Sequence, residues 1–289
     1  MHSKPSGWRI AALGALVALA SSSAYAGGRL LATGGGIPLA GAAGGGIVPW
    51  AVLSGYSADE EHGLTGAYTR VETDDYTLDA FALSYDFYNR VEVSASRQTF
   101  DIGSLTPALG FDPGDLKQDT FGVKVRLTGD AVFTRRPQVS VGLMHGKNTE
   151  YLIPSVVGSR RDSDNDFYVA ATKVWLTGPL KHMALLNITL RSTRANQIGL
   201  LGFGGDLNDS RQTMFEMSAA TFVNRKLAVG FEYRQKPNNL SFAKEDDWRD
   251  VFAAYFPNKH FAIVAAYADL GSIVLPHQSG FYISFEGSR

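Results

Sequence analysis

The chain has 289 residues, 45% of them hydrophobic, a formal charge of −1 and no cysteine. Near-neutral charge excludes a broad basic surface for nucleic acid. The missing cysteines exclude a disulfide framework, thiol chemistry, cysteine-held zinc and a lipid-modified N-terminal cysteine.

The first residues carry Lys4 and Arg9, an apolar run from Ile10 to about Ala20, and Ala24-Tyr25-Ala26. This order predicts a secretory signal peptide cleaved after Ala26. The apolar run falls short of the ~20 residues that a spanning helix needs. Loss of Lys4 and Arg9 leaves the exported chain at −3. No later stretch is long and charge-free enough to be a transmembrane helix.

Residues 27–46 read "GGRLLATGGGIPLAGAAGGG". Glycine gives backbone freedom and little packing, so the segment is either a short first strand plus a loop or a plug folded inward. The strand reading is the preferred one.

From 47 to 289 the pattern is that of a β-barrel. Extended segments of about 10 residues fall at 47–57, 63–72, 76–87, 90–100, 119–127, 138–146, 166–176, 183–194, 212–223, 226–234, 248–256, 260–270 and 280–286. In the tenth, Leu227, Val229, Phe231 and Tyr233 alternate with Ala228, Gly230, Glu232 and Arg234. Successive strand side chains point oppositely, so the two sets occupy opposite faces. Segment 166–176 is ambiguous, because Lys173 shares a face with Phe167, Val169 and Trp175.

The connections decide which solvent meets the apolar face. Long ones such as "KNTEYLIPSVVGSRRDSDN" alternate with tight ones such as "NRK" and "PNKH". Long loops on one rim and tight turns on the other characterise bacterial outer-membrane barrels. The apolar faces are therefore expected to meet lipid, with closure removing sheet edges that hydrocarbon cannot solvate. A last strand running toward the tight-turn, periplasmic rim makes 47–57 a descending strand, whose ascending partner would be 29–33. The expected fold is thus an all-β transmembrane antiparallel barrel of about 14 strands, with 12 as the alternative.

On cleanly alternating strands, Lys124, Arg126, Arg191 and Arg234 face inward with Glu92, Glu216, Glu232 and Glu286. These balanced charges either pair across a filled interior or line a water-filled passage with weak charge selectivity. "LLGFGGDLNDS" lacks the lysine and serine or threonine of a phosphate loop; its Leu200, Leu201 and Phe203 suit a constriction loop or loop tips packed together.

Catalytic candidates are absent by pattern. His62, His145, His182, His260 and His277 fall in no metal-ligand spacing, and there is no G-x-S-x-G elbow. Asp162, Asp164 and Asp166 have EF-hand-like spacing, yet Phe167 and Lys173 stand where glycine and glutamate are required. They remain a weak divalent-ion candidate, and no cofactor is expected.

The stretches "GAAGGGIVPWA", "FGVKVRLTGDAV", "LRSTRANQIGLLGFGGDLNDS" and "EYRQKPNNLSFAKEDDW" resemble the uncharacterised proteobacterial family known as domain of unknown function 3034. The similarity runs over nearly the whole mature chain and implies an exported outer-membrane protein, with no catalytic residue to transfer. The expected function is a passive channel for small solutes. The alternative is a plugged structural barrel contacting lipopolysaccharide or other envelope partners. Outer-membrane lipid is the expected surrounding, and the barrel-assembly machinery is the expected reader of "GFYISFEGSR". Oligomeric state is not legible.

Overall fold

A computed structural model describes residues 29–37, 39–106, 113–178, 182–275 and 277–289. The signal peptide expected at 1–26 lies outside the described residues. Twelve antiparallel strands are hydrogen-bonded in sequence order, and the last closes on the first. They are β1 (His62–Thr73), β2 (Thr77–Phe87), β3 (Val91–Asp101), β4 (Asp115–Thr128), β5 (Gln138–Asn148) and β6 (Ser163–Trp175), then β7 (Ala184–Thr193), β8 (Gln212–Asn224), β9 (Leu227–Arg234), β10 (Trp248–Asn258), β11 (Phe261–Asp269) and β12 (Ser279–Ser288).

The preferred count of 14 is therefore corrected to the alternative, 12. The barrel begins at His62, not at residue 47, because neither 29–33 nor 47–57 joins the sheet. The reason lies in the residues. A lipid-spanning strand must turn every second side chain outward, whereas "IVPWAVL" is continuously apolar and every residue from 46 to 57 is buried. Pro49 also lacks the ladder donor, and Gly55 takes φ +71°.

Alternation places the faces as physics requires. Val229 and Phe231 are 37% and 42% exposed on the outside, while Glu232 between β8 and β10 is fully buried inside. Lys173 does lie on the outward face, but its ammonium donates to the carbonyls of Val132 and Thr134 in the adjoining 129–137 turn. A long stem reaching a rim carbonyl reconciles lysine with an apolar face. Outward charges also pair toward the opposite rim, Arg70 with Asp79 at 3.2 Å and Arg249 with Asp269 at 3.0 Å.

The rims differ as expected. Residues 225–226 and 259–260 make two-residue turns, and both barrel ends share that rim. The other rim carries the connections from β3 to β4, β5 to β6, β7 to β8, β9 to β10 and β11 to β12, and the short 74–76 turn. A helix, α1 (Leu152–Val156), interrupts the second of these loops.

Phe121, 58% exposed at the middle of β4, tests this orientation. Phe121→Arg is expected to destabilise the barrel by about 2–4 kcal/mol in lipid, the usual effect of an arginine at the bilayer midplane. Urea unfolding in lipid vesicles measures it, and an unchanged midpoint would contradict a lipid-facing position.

Candidate functional site

The lumen is occupied by the chain's own N-terminal segment. Residues 29–57 have almost no regular structure, only short bridges such as Gly36 with Gly44 and Gly44 with Pro49. Their buried amides and carbonyls must find partners. The barrel wall supplies them from all sides.

Carboxylates accept the amides. Glu92 Oε1 accepts from Ala43 N at 3.0 Å and its Oε2 from Ser54 N at 2.8 Å. Glu232 Oε2 accepts from Gly46 N and Ile47 N at 2.6 and 2.8 Å, and Glu286 from Ile37 N at 3.0 Å. Cations and amides serve the carbonyls. Lys124 Nζ donates to Ala43 O and Val52 O at 2.8 and 2.9 Å, Arg234 Nη1 to Ile47 O at 3.0 Å, and Gln138 Nε2 to Ala51 O at 2.7 Å. Glycine is required for the closest approach, since a Cβ at Gly45 would overlap the Glu232 carboxylate.

The eight charges read from alternation sort into groups. Glu92 and Lys124 stand 3.3 Å apart. Arg191 binds Glu216 at 2.6 Å and Asp166 at 3.3 Å, with Arg234 at 3.5 Å from the same Glu216. Glu232 and Glu286 face the plug. Arg126 sits apart at the tight-turn rim, donating to Gly129 O and pairing with Asp130 at 3.2 Å. The interior thus holds paired charges around a polypeptide, the first of the two arrangements that the balanced signs allowed. Such pairs are costly to break singly, because the survivor stays buried without a partner.

Above the plug, loop 194–211 folds inward. Leu200 and Leu201 line a cavity of about 640 Å³, and Phe203 is buried against Gly146 without lining it. Loop 235–247 braces it: Lys236 binds Glu245 at 3.3 Å and Gln197 at 2.8 Å. Burial pushes the Glu245 carboxyl up and the Lys236 ammonium down, each against the pull of the other.

The aspartates at 162, 164 and 166 do not converge on a cation site. Asp164 holds Arg194 and Arg211 at 3.0 and 2.8 Å, Asp166 faces Arg191, and Asp162 accepts from Ser163 at 2.9 Å. Among the described residues no group of three or more histidine, aspartate or glutamate side chains is placed to hold a metal. His145 Nδ1 lies 2.9 Å from Asn165 Oδ1, and His62 packs among Tyr85, Phe87 and Tyr88 at the tight-turn rim.

The inward set also includes Asp86, Asp166 and Asp250, which the sequence reading did not place in the lumen. The signal was available for Asp86 and Asp250, which share the inward parity of Ser84 and Trp248. What pairs with them was not.

The model of a family described as protein of unknown function (DUF3034) matches residues 33–286. No curated protein matches the chain. Among solved structures, a KdgM porin aligns with TM-score 0.50 at 8% identity, over 77% of this chain and 98% of that one. A NanC porin gives 0.47 at 12%, over 78% and 99%, and outer membrane phospholipase A from Escherichia coli 0.43 at 9%, over 81% and 94%. At 8% identity the likeness to the KdgM porin shows the fold alone, that of an outer-membrane barrel.

Lys124 is the residue on which plug and wall both depend. Lys124→Met leaves Glu92 buried without its cation and two plug carbonyls without a donor, so a loss of about 3–5 kcal/mol is expected. Hydrogen exchange at Ala43 and Ser54 should accelerate before exchange in the strands does. Equal protection in the variant and the parent would show that the plug is held by something else.

Proposed function

We propose, for a chain that belongs to the family described as protein of unknown function (DUF3034), an outer-membrane channel for small solutes that its own N-terminal segment holds closed. The observation that carries this reading is the way the segment is held. All twelve strands pair with one another and none pairs with the plug. The polar links between plug and wall are hydrogen bonds to wall side chains, so the plug can leave without opening a single rung of the barrel.

Porin-like structures share the fold, which supports passage of solutes through the lumen without identifying them. With the plug withdrawn, Lys124, Arg126, Arg191 and Arg234 would face water together with Glu92, Glu216, Glu232 and Glu286. The added carboxylates of Asp86, Asp166 and Asp250 tilt the otherwise weak charge selectivity toward cations. Catalysis forms no part of this reading. The tight-turn rim would face the periplasm and the long loops the exterior, where lipopolysaccharide is the natural neighbour, with the barrel-assembly machinery acting during biogenesis.

The filled lumen also favours a second reading, a permanently plugged structural barrel. One experiment separates the two. Ser54 Oγ on the plug lies 2.5 Å from Ser84 Oγ on β2, and the chain has no native cysteine. A Ser54→Cys/Ser84→Cys double variant is expected to be silent in planar bilayers when oxidised and to show discrete current steps after reduction, with slight cation preference. Continued silence of the reduced variant and of the parent, both shown folded by heat-shifted gel mobility, would select the plugged structural barrel.

A further inference from the structure

The cavity above the plug is enclosed almost wholly by apolar side chains. Leu39 and Ile47 of the plug form its floor, Phe100 and Leu116 of β3 and β4 one wall, and Ala268 of β11 and Tyr282 of β12 another. Its size suits a small organic molecule. Near its outer side stand Leu152 and Val156 of α1, each 78% exposed, and Phe242, 53% exposed. Exposed apolar residues beside an apolar chamber give an apolar solute a route of low desolvation cost from outside.

Polar groups interrupt the apolar surface, Tyr76, Asp115, Glu150 and Gln197 among them, and two stand next to each other on one strand face. Trp248 and Asp250 alternate on the inward face of β10 and both line the cavity, 2% and 6% exposed. Trp248 Nε1 and Asp250 Oδ1 are buried with no hydrogen-bond partner. A buried donor and a buried acceptor left open carry a desolvation cost that a bound group can remove. Two residues apart on one strand face, they lie about 7 Å apart along the backbone, within reach of one small head group. The neighbouring cation is already engaged: Lys236 Nζ sits 4.7 Å from the Trp248 ring centroid but is bound by Glu245 and Gln197. Asp250 stands beside Glu232 across the β9–β10 ladder.

We infer that this cavity binds a neutral, hydroxyl-bearing apolar molecule, such as a long-chain alcohol, by its apolar body and its single head group. The hydroxyl oxygen accepts from the Trp248 indole N–H, and the hydroxyl hydrogen is donated to the Asp250 carboxylate. A fatty-acid anion has the same body but brings a further negative charge to the acidic pair of Asp250 and Glu232, with no free cation to meet it. The inference rests on the channel reading, for which it names the class of solute.

The test is equilibrium binding of radiolabelled 1-dodecanol and dodecanoate to the full-length protein in lipid nanodiscs, with empty nanodiscs as background. Saturable binding of one dodecanol per chain is expected, tighter than dodecanoate by tenfold or more. Trp248→Phe, which removes the donor and keeps the ring, is expected to weaken dodecanol about tenfold. Asp250→Asn, which removes the charge and keeps the shape, is expected to narrow or reverse the preference over dodecanoate. Ala268→Phe fills the cavity and should bring binding to background, with Val71→Phe as a second filling variant. Heat-shifted mobility confirms that each is folded.

Dodecanoate binding as well as dodecanol in the parent would overturn the inference, and so would dodecanol binding that both filling variants leave intact. The cysteine-locked protein separates this result from the channel's. The cavity lies above the plug, so the locked form should still bind dodecanol. Redox-gated current without saturable alcohol binding defeats the inference and leaves the channel. Saturable, variant-sensitive binding without current under any condition supports the inference and defeats the channel.

Discussion

The buried amides and carbonyls of a glycine-rich segment that its own few bridges leave open must be met by the wall of the closed barrel around it, and this requirement organises the protein. Neither the sheet, whose ladder is already complete, nor bulk water is at hand to meet it. The charged lumen residues meet it instead. Glu92 shows the economy of the arrangement: one carboxylate accepts from Ala43 and Ser54 while balancing Lys124, whose ammonium in turn serves the carbonyls of Ala43 and Val52. Acids attend to amides and bases to carbonyls, and in Glu92 and Lys124 the two also neutralise each other.

This division gives the plug a different character from the strands around it. Strand pairing is continuous around the ring and is shared among all twelve members, so the barrel's cohesion does not depend on its contents. The plug depends on single side chains, each with a specific partner. Hydrogen bonds to charged groups are worth about 1.5–3 kcal/mol each, and several lost together are largely recovered if water replaces them. A hydrated lumen and a plugged lumen are therefore both states in which the wall charges are satisfied. That is the physical basis of the proposed gate.

The long-loop side solves another problem. Loop 194–211 turns inward instead of into solvent, with Asn148 Nδ2 donating to Leu200 O at 2.5 Å and Gln118 Nε2 to Ile198 O at 3.1 Å. Its leucines meet the apolar outer ends of β2, β3 and β4, and between this lid and the plug lies a chamber with a mainly apolar lining. The two characters of the interior are divided by sector: the apolar chamber lies at the loop ends of β1 to β4 and β10 to β12, and the Arg191, Glu216, Asp166 and Arg234 cluster at the loop ends of β6 to β9. Within the apolar part only a few groups, Trp248 and Asp250 among them, interrupt the surface.

The sequence by itself determined the wall. A period of two, with Phe231 out and Glu232 in, and the alternation of longer with tighter connections leave few alternatives to an outer-membrane-type barrel, because lipid admits no unpaired strand edge. The same alternation placed the eight charged residues on the inner face. Only the tertiary structure decided what those residues face. An inward glutamate obeys the same pattern whether its neighbour is water, arginine or a plug amide, so periodicity cannot distinguish a pore from a filled lumen. The strands expected at 29–33 and 47–57 are absent for a related reason: a short apolar run such as "IVPWAVL" looks alike in a strand and in a buried loop, and only closure of the ring at β1 and β12 shows that no place in the sheet was left for it.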